Sequence, residues 1–270
     1  MSLWSFFEPA DDPADAVFGS LIRAPDPEPA ISADPADLAR QLLSFPLDSV
    51  QLEILRSPAQ YIALCCHRQW GKTQCSALKA VHLALRQPGA EIILVAPSLR
   101  QSGAVLRAMF GFLNTLKINV KSDGLNRLSM LLPNGSRIVA IPNASDTVRG
   151  FSNVSLVIID EAAYVRDETY RAVFPFLAAS RGKLLLLSTP HGQHGFFYRA
   201  VHEPENNFVR YLVRASESGR LTPEFLAMAR LELGDSYAQE FECSFTMGEE
   251  QIFDRSLIDQ ALDPIIQAFR

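Results

Sequence analysis

Two short groups of side chains have the types and spacing needed to handle a phosphate group. The first is Lys72-Thr73, which follows Gly71 in a tight loop, and the second is the carboxylate pair Asp160-Glu161. A lysine ammonium neutralises β- and γ-phosphate oxygens, a threonine hydroxyl ligates Mg²⁺, and loop N–H groups cradle the phosphates. Asp160 would bind the same Mg²⁺, often through water, while Glu161 would polarise the attacking water. The two groups together predict a nucleotide-hydrolysing site.

The segments around both groups have the patterns that such a site requires. Ile62 to Cys66 is a short apolar run before the loop, and residues 73–86 carry apolar side chains at helical spacing. Val154 to Asp160 is a second apolar run that ends in the carboxylates. This is the order of Walker A and Walker B motifs, although the consensus G-x-x-x-x-G-K-[ST] has glycine where this chain has Cys66. The alternatives are a chance turn at Gly71 and an acidic pair that only caps a helix.

The predicted nucleotide-binding residues are the loop itself and one glutamine before it. A glutamine ahead of a P-loop strand can read an adenine edge because its amide offers a donor and an acceptor together; a surface glutamine in a first helical turn is the alternative. The set is Gln51, Cys66, His67, Arg68, Gln69, Trp70, Gly71, Lys72, Thr73 and Gln74.

Three further stretches carry candidate functions. Arg149 lies beside Gly150 on a predicted loop and could act as an arginine finger from a neighbouring subunit, or be an ordinary surface arginine. The run of residues 183–190 predicts a buried strand. Its polar end, Ser188-Thr189-Pro190, should lie near the γ-phosphate, where it could couple hydrolysis to the parts that grip DNA. Ser98, Arg100 and Gln101 lie at the carboxyl end of the strand predicted over residues 91–98, where they could meet nucleic acid or cap the next helix.

The fold predicted from these elements is α/β, a P-loop NTPase of the RecA/ASCE-like type with a mainly parallel sheet flanked by helices. A β-hairpin insertion is predicted over residues 128–141, because Asn134-Gly135 is a strong hairpin signal between alternating runs. Helices are predicted over residues 37–43, 99–116 and 222–241, and a further strand over residues 207–215.

Length and composition limit the classes of protein that fit. The chain has 270 residues, a net charge of −5 and no apolar run of the roughly 18 residues that span a bilayer. That length suits one large domain, and the absence of a signal-peptide pattern predicts a soluble, cytoplasmic protein. Residues 1–45 carry eight acidic and two basic residues, so the rest is close to neutral. Such a balance does not favour a protein that coats nucleic acid, but it suits one that grips DNA briefly.

Proline and cysteine usage suggests the domain limits and the state of the thiols. Residues 1–36 are acidic and proline-rich, which predicts a flexible leader before an ATPase domain over residues 37–250. Four cysteines without paired C-x-x-C spacing predict reduced thiols. A zinc site at Cys65, Cys66, His67 and Cys75 is disfavoured because adjacent strand residues point to opposite faces.

The ordered set of motifs resembles the ATPase domain of the large terminase subunit of tailed bacteriophages, over residues 45–251. The resemblance rests on the stretches CCHRQWGKT, PNGSRIVAIP, TVRGFSN, LVIIDEAAYV and LLLLSTPHGQHGFFY. It implies that Arg68 faces the γ-phosphate, that Arg149 is the trans-acting finger, that Glu161 is the catalytic carboxylate and that residues 188–190 form the coupling motif.

The resemblance also implies partners and a domain arrangement. These motors are rings of subunits at the portal protein of a prohead, in the host cytoplasm, and move double-stranded DNA with a small terminase subunit. Large terminases carry a C-terminal nuclease domain. The length of this chain predicts that it does not hold one, and residues 251–270 resemble the linker toward that domain. No nuclease activity is therefore expected. The alternatives are another RecA-like translocase or helicase, and a module that binds nucleotide without hydrolysing it to control assembly or DNA binding.

Overall fold

Seven strands form one sheet in a computed structural model, which describes residues 31–44, 46–125, 128–141, 143 and 151–246. The strands are β1 (Tyr61–Cys66), β2 (Glu91–Val95), β3 (Ser129–Leu131), β4 (Arg137–Ile141), β5 (Val154–Asp160), β6 (Lys183–Ser188) and β7 (Val209–Val213). Their order is β3-β4-β2-β5-β6-β1-β7, and every neighbouring pair is parallel except β3 and β4. Because β1, β6 and β5 are adjacent and parallel, their carboxyl ends lie at one edge of the sheet.

Helices cover both faces of this sheet. They are α1 (Pro35–Leu42), α2 (Ser49–Arg56), α3 (Lys72–Arg86), α4 (Leu99–Thr115), α5 (Asp167–Val173), α6 (Phe176–Ser180), α7 (Gly195–His202), α8 (Ala215–Ser218), α9 (Pro223–Leu233) and α10 (Ser236–Glu242), with a 3₁₀ turn at Ala162–Tyr164. Neighbouring residues of β1 alternate between two buried clusters: Ile62 and Leu64 pack with α1 to α4, while Ala63 and Cys65 pack with α5 to α7. Burial on both faces explains why these strands are continuous apolar runs.

The helices α8, α9 and α10 belong to residues 214–246, which we call the three-helix segment. They enclose a third, smaller cluster made by Ala215, Ala229, Tyr237 and Phe241. The sequence predicted one helix from Thr222 onward, and Thr222 does cap α9 through a 3.2 Å bond from the Phe225 N–H. Gly234, with a φ of +51°, then separates α9 from α10.

Several predicted elements are found with altered limits. The hairpin at Asn134-Gly135 is present, but β4 also pairs with β2, so the hairpin continues the main sheet instead of standing apart from it. The helix predicted from residue 37 begins at Pro35 with Asp34 as its cap, and Ala36 is buried. Residues 31–36 therefore belong to the folded unit, whereas their composition predicts that they are part of the leader.

Two further expectations concern the membrane and the thiols. No helix in the described part of the chain is long and apolar enough to cross a membrane. All four cysteines are free, as predicted, and all four are buried.

The buried Lys79 of α3 gives a first prediction. Its Nζ donates to the carbonyls of Ile54 (2.8 Å) and Leu55 (3.2 Å), which belong to the last turn of α2 and lack helical partners. Lys79→Met should lower the free energy of unfolding by about 1–3 kcal/mol, because those carbonyls lose their donor.

The cost of Lys79→Met should also grow with pH. Burial, with the nearby Lys183 charge, lowers the pKa of Lys79 to about 8. Between pH 8 and the unfolded value of about 10.4 the unfolded chain binds more protons, so wild-type stability rises relative to the variant, by up to about 1.4 kcal/mol per pH unit. Urea unfolding of both proteins at pH 7.5 and 9.5 measures this; a difference that shrinks with pH would contradict it.

Candidate nucleotide site

The loop after β1 has the backbone of a phosphate-binding loop despite the missing first glycine. Cys66 is the last residue of β1 and pairs with Val213 of β7, so this position is extended and needs no glycine. The left-handed conformations fall instead at Gln69, with a φ of +63°, and at Gly71, with a φ of +99°. A Cβ at Gly71 would lie 3.1 Å from Gln51 Nε2, so the close approach also requires glycine there.

The N-terminus of α3 is open toward this loop. Gly71 is its N-cap residue and provides no side chain to cap the first turn. The first N–H groups of a helix have no intrahelical acceptor, and the helix dipole favours an anion beside them. Lys72 and Thr73 begin the same 15-residue helix, so their side chains start from the place where a phosphate would bind.

Lys72 and Glu161 meet across the edge of the sheet. Lys72 Nζ lies 3.1 Å from Glu161 Oε1, and the two side chains are only 11% and 24% exposed. The Ser188 hydroxyl, at the end of β6, lies 3.3 Å from the other oxygen of Glu161. Burial disfavours the charged form of Lys72 and lowers its pKa. The Cys66 sulfur and the Glu161 and Asp160 carboxylates favour the charged form more strongly, so the pKa of Lys72 is raised. The predicted phosphate-binding lysine, the predicted catalytic carboxylate and the first predicted coupling residue are therefore in contact.

Asp160 lies beside this pair in a drier place. It is 5% exposed, and one of its oxygens accepts the Glu161 N–H at 3.1 Å. Burial, with the Glu161 charge, raises the pKa of Asp160 to about 7, against the opposing effect of Lys72. The charged form of such a buried carboxylate is stabilised when a cation binds next to it. The Thr73 hydroxyl and the Asp160 carboxylate are hard oxygen ligands, the kind that Mg²⁺ prefers, so the residues present fit a Mg·nucleotide.

The other loop residues are held by the protein itself. Trp70 is 1% exposed and packs in the cluster beneath the loop, and Cys66 is fully buried. His67 is also buried: its Nδ1 lies 2.6 Å from the Arg68 carbonyl, and its Nε2 lies 2.8 Å from Ser218 Oγ. A carbonyl can only accept, so Nδ1 carries the proton, and burial lowers the pKa of His67. The backbone of these positions, and not their side chains, can face a phosphate.

Arg68 is exposed but paired. Its side-chain Nε lies 2.6 Å from Glu240 Oε2 of α10, and its backbone N–H donates to the Glu240 backbone carbonyl at 2.9 Å. The hydrogen bond to Glu240 raises the pKa of Arg68. The predicted role at the γ-phosphate therefore requires Arg68 to leave Glu240.

Gln51 lies under the loop and not on an open surface. It is fully buried in the first turn of α2, where its Oε1 accepts from the Asp48 N–H (3.1 Å) and from Arg220 Nη2 (2.6 Å). Its Nε2 donates to the Trp70 carbonyl at 3.2 Å. The surface-glutamine alternative is therefore wrong. A base could contact this amide only if the surrounding groups moved, and the adenine role stays a prediction.

Three sets of predicted residues remain: the residues at the end of β6, Arg149, and the residues that follow β2. Ser188 and Thr189 are buried at the end of β6, and Tyr164 stacks on His191 with ring centroids 4.4 Å apart. Arg149 lies outside the described residues, so the finger stays a prediction. At the helix after β2, Ser98 accepts the Gln101 N–H at 3.3 Å, which confirms the capping alternative for those two residues.

Sequence reasoning missed the partners that hold the loop from the other side. These are Ser218, Arg220 and Glu240, which contact His67, Gln51 and Arg68 from 151, 169 and 172 positions away. No local pattern marks them, because their role depends on how the three-helix segment packs beside β7.

The sheet is mostly parallel, with a Gly-Lys-Thr loop after β1 and an acidic pair at the end of β5, and β6 lies between these two strands. This arrangement defines a P-loop NTPase of the predicted type. Residues 67–260 match the family described as the terminase large subunit, T4likevirus-type, N-terminal. The chain belongs to this family.

Comparisons with individual proteins agree with that assignment. The chain is 28% identical over 183 residues to the terminase large subunit of Thermus virus P23-45, covering 60% of this chain and 38% of that protein. It is 26% identical over 213 residues to the terminase large subunit of Escherichia phage T5, covering 76% of this chain and 48% of that protein. The chain therefore matches less than half the length of these curated relatives.

Solved structures show the same fold. The large terminase ATPase domain of Thermus phage P74-26 superposes with a TM-score of 0.69 at 23% identity, covering 80% of this chain and 100% of that one. The large terminase of a thermophilic bacteriophage, solved in complex with ADP, superposes with a TM-score of 0.63 at 15% identity, covering 74% of this chain and 54% of that one.

Proposed function

We propose that this chain is the ATP-hydrolysing motor domain of a viral large terminase, which drives double-stranded DNA into a prohead. The observation that supports it most directly is the 3.1 Å contact of Lys72 with Glu161 at the sheet edge where the phosphate loop ends. Membership of the family supports the same function. Similar large terminases were solved with ADP and with ATP-γ-S, which supports a nucleotide as the ligand.

Binding of ATP would exchange the partner of Lys72. The triphosphate enters the open N-terminus of α3, and the Lys72 ammonium moves from the Glu161 carboxylate to the β- and γ-oxygens. Thr73 and Asp160 would hold Mg²⁺, which would neutralise negative charge on the triphosphate. Loss of its cation leaves Glu161 free to accept a hydrogen bond from water.

Hydrolysis then depends on groups that the protein positions. Glu161 orients the attacking water, while the Ser188 hydroxyl at 3.3 Å holds the second carboxylate oxygen. Charge on the transferring phosphoryl group needs a cation, supplied by Arg68 after it leaves Glu240 or by Arg149 of a neighbouring subunit. The contact of Ser188 with Glu161 supports a coupling role for residues 188–190, which would pass a change at the γ-phosphate to the rest of the domain.

The DNA partner requires a basic surface, and α4 offers one. This helix has no acidic residue, and its exposed side chains include Arg100 and Arg107 together with Phe110, which is 50% exposed. Arginines at such a surface bind phosphates through charge and lose that affinity with salt. The remaining partners, a homo-oligomeric ring, the portal protein and the small terminase subunit in the host cytoplasm, are proposed on family membership alone.

The test is ATP turnover measured against protein concentration, with and without double-stranded DNA. Wild type should turn over faster per subunit as concentration rises, since a finger from a neighbour completes the site. Arg149→Ala should lower turnover by about 10³-fold or more without weakening equilibrium binding of ATP-γ-S. Arg181→Ala, at an exposed arginine after α6, is the matched control and should be unaffected.

Two results would overturn the proposal. A wild-type protein that binds nucleotide but stays inactive at every concentration, with DNA present, would be a nucleotide-gated module and not a motor. A protein that does not bind ATP-γ-S would exclude the nucleotide site itself.

A further inference from the structure

The phosphate loop is held from below by a chain of hydrogen bonds that starts in the three-helix segment. Arg220, between α8 and α9, donates from Nη2 to Gln51 Oε1 at 2.6 Å. Gln51 in turn donates from Nε2 to the Trp70 carbonyl at 3.2 Å. The guanidinium is thus linked to the loop backbone through a single buried amide.

Arg220 is itself fixed by a second partner. Its Nε and Nη2 both lie 3.2 Å from Asp48 Oδ2, and Asp48 is the N-cap of α2. With Oε1 directed at Arg220 and at the Asp48 N–H, the Gln51 amide must direct its NH₂ group at Trp70. Arg220 therefore sets the orientation of the amide that supports the loop.

This support lies directly under the residue that shapes the loop. A Cβ built on Gly71 would lie 3.1 Å from Gln51 Nε2 and 3.7 Å from Arg220 Nη1. Gly71 is also the N-cap of α3, so its position decides where the first N–H groups of that helix point. A shift of the amide would move the phosphate cradle.

We propose that Arg220 is a positioning residue for ATP, which acts through Gln51 to hold the loop backbone at Trp70 and Gly71 and so links the three-helix segment to nucleotide binding. The inference rests on the proposed ATPase function. Arg220 acts on the loop through Gln51, from the protein side, so its effect should be equal for any nucleoside triphosphate.

The first arm of the test compares binding of ATP-γ-S and GTP-γ-S by Arg220→Met, Arg220→Lys and wild type. Arg220→Met should weaken the binding of both nucleotides by about tenfold, the scale of one charge-assisted hydrogen bond, and the ratio of the two affinities should not change. Arg220→Lys should recover part of the loss, because an ammonium can reach only one of the two partners well. Arg214→Met, which removes an ion pair to Glu217 on the same segment, is the control and should bind as wild type does.

A second variant separates positioning from a general structural role. Gln51→Glu keeps an acceptor for Arg220 and for the Asp48 N–H but cannot donate to the Trp70 carbonyl. It should weaken nucleotide binding as much as Arg220→Met does, and the double variant should be no weaker than either single one. Additive losses would overturn the proposal. So would a change, in Gln51→Glu, of the ratio between the affinities for ATP-γ-S and GTP-γ-S, because Gln51 would then read the base.

The second arm needs no nucleotide. The chain has two tryptophans, Trp4 and Trp70, so Trp4→Phe leaves Trp70 as the sole indole emitter. In that background Arg220→Met should increase quenching of the Trp70 emission by acrylamide, because the loop is released, while Arg214→Met should not. Unchanged quenching would refute the link. If wild type binds no nucleotide, the proposed function fails, and the quenching result still decides whether Arg220 holds the loop.

Discussion

Glu161→Gln should abolish steady-state ATP turnover, lowering kcat by about 10²–10⁴-fold, while nucleotide binding persists. The amide keeps the size of the side chain and can still bond to Ser188, but it cannot accept a proton from, or strongly polarise, the attacking water. The wild-type carboxylate also pairs with Lys72 at 3.1 Å, and ATP has to displace that pair. The variant removes the competitor, so its affinity for ATP should be unchanged or several-fold tighter.

Tighter binding without turnover is the outcome that distinguishes a catalytic role from a structural one. It can be measured by steady-state phosphate release together with equilibrium titration of ATP-γ-S. Glu232→Gln, at an exposed carboxylate of α9, is the matched control and should retain wild-type values for both. If Glu161→Gln keeps turnover within a few-fold of wild type, the water is activated by another group and the assignment of Glu161 is wrong.

The parts of the fold that follow from local pattern were predictable. The apolar runs gave β1, β2, β5 and β6, because strands buried on both faces have few polar positions. The order of a Gly-Lys-Thr loop and an Asp-Glu pair predicted one site that includes Lys72 and Glu161, and these two side chains are in contact. The mismatch at Cys66 looked like a weakness of the motif. The structure explains it, because that residue is still in the strand and the left-handed turns come later.

What could not be predicted is how the loop is supported. The sequence around Gln51 predicts either a residue that reads adenine or a surface glutamine in a first helical turn, and neither interpretation includes burial beneath the loop. Its partner Arg220 is 169 positions away, and the partner of Arg68, Glu240, is 172 positions away. These contacts arise from the packing of the three-helix segment beside β7. A sequence taken alone contains no local signal for such tertiary contacts.

Lys72→Met should weaken binding of ATP-γ-S by roughly 10²–10⁴-fold, because Lys72 would donate to both the β- and γ-phosphates and each charge-assisted bond is worth about 1.5–3 kcal/mol. The loss extends beyond those two bonds. Without the ammonium, Glu161 and the 5% exposed Asp160 lose their nearest cation and oppose the incoming phosphates. Isothermal titration of wild type and variant measures the effect, and Lys121→Met, at an exposed lysine, is the control that should bind normally.

Lys72→Arg tests whether charge alone is sufficient. A guanidinium preserves the charge and can still pair with Glu161, but it is planar and larger than the ammonium, which is 11% exposed between the loop and the acidic pair. We therefore expect Lys72→Arg to fold as wild type does but to bind ATP-γ-S at least tenfold more weakly than wild type. Full recovery of binding by arginine would show that Lys72 acts through charge at a distance, and the direct contact with phosphate proposed for it would be wrong.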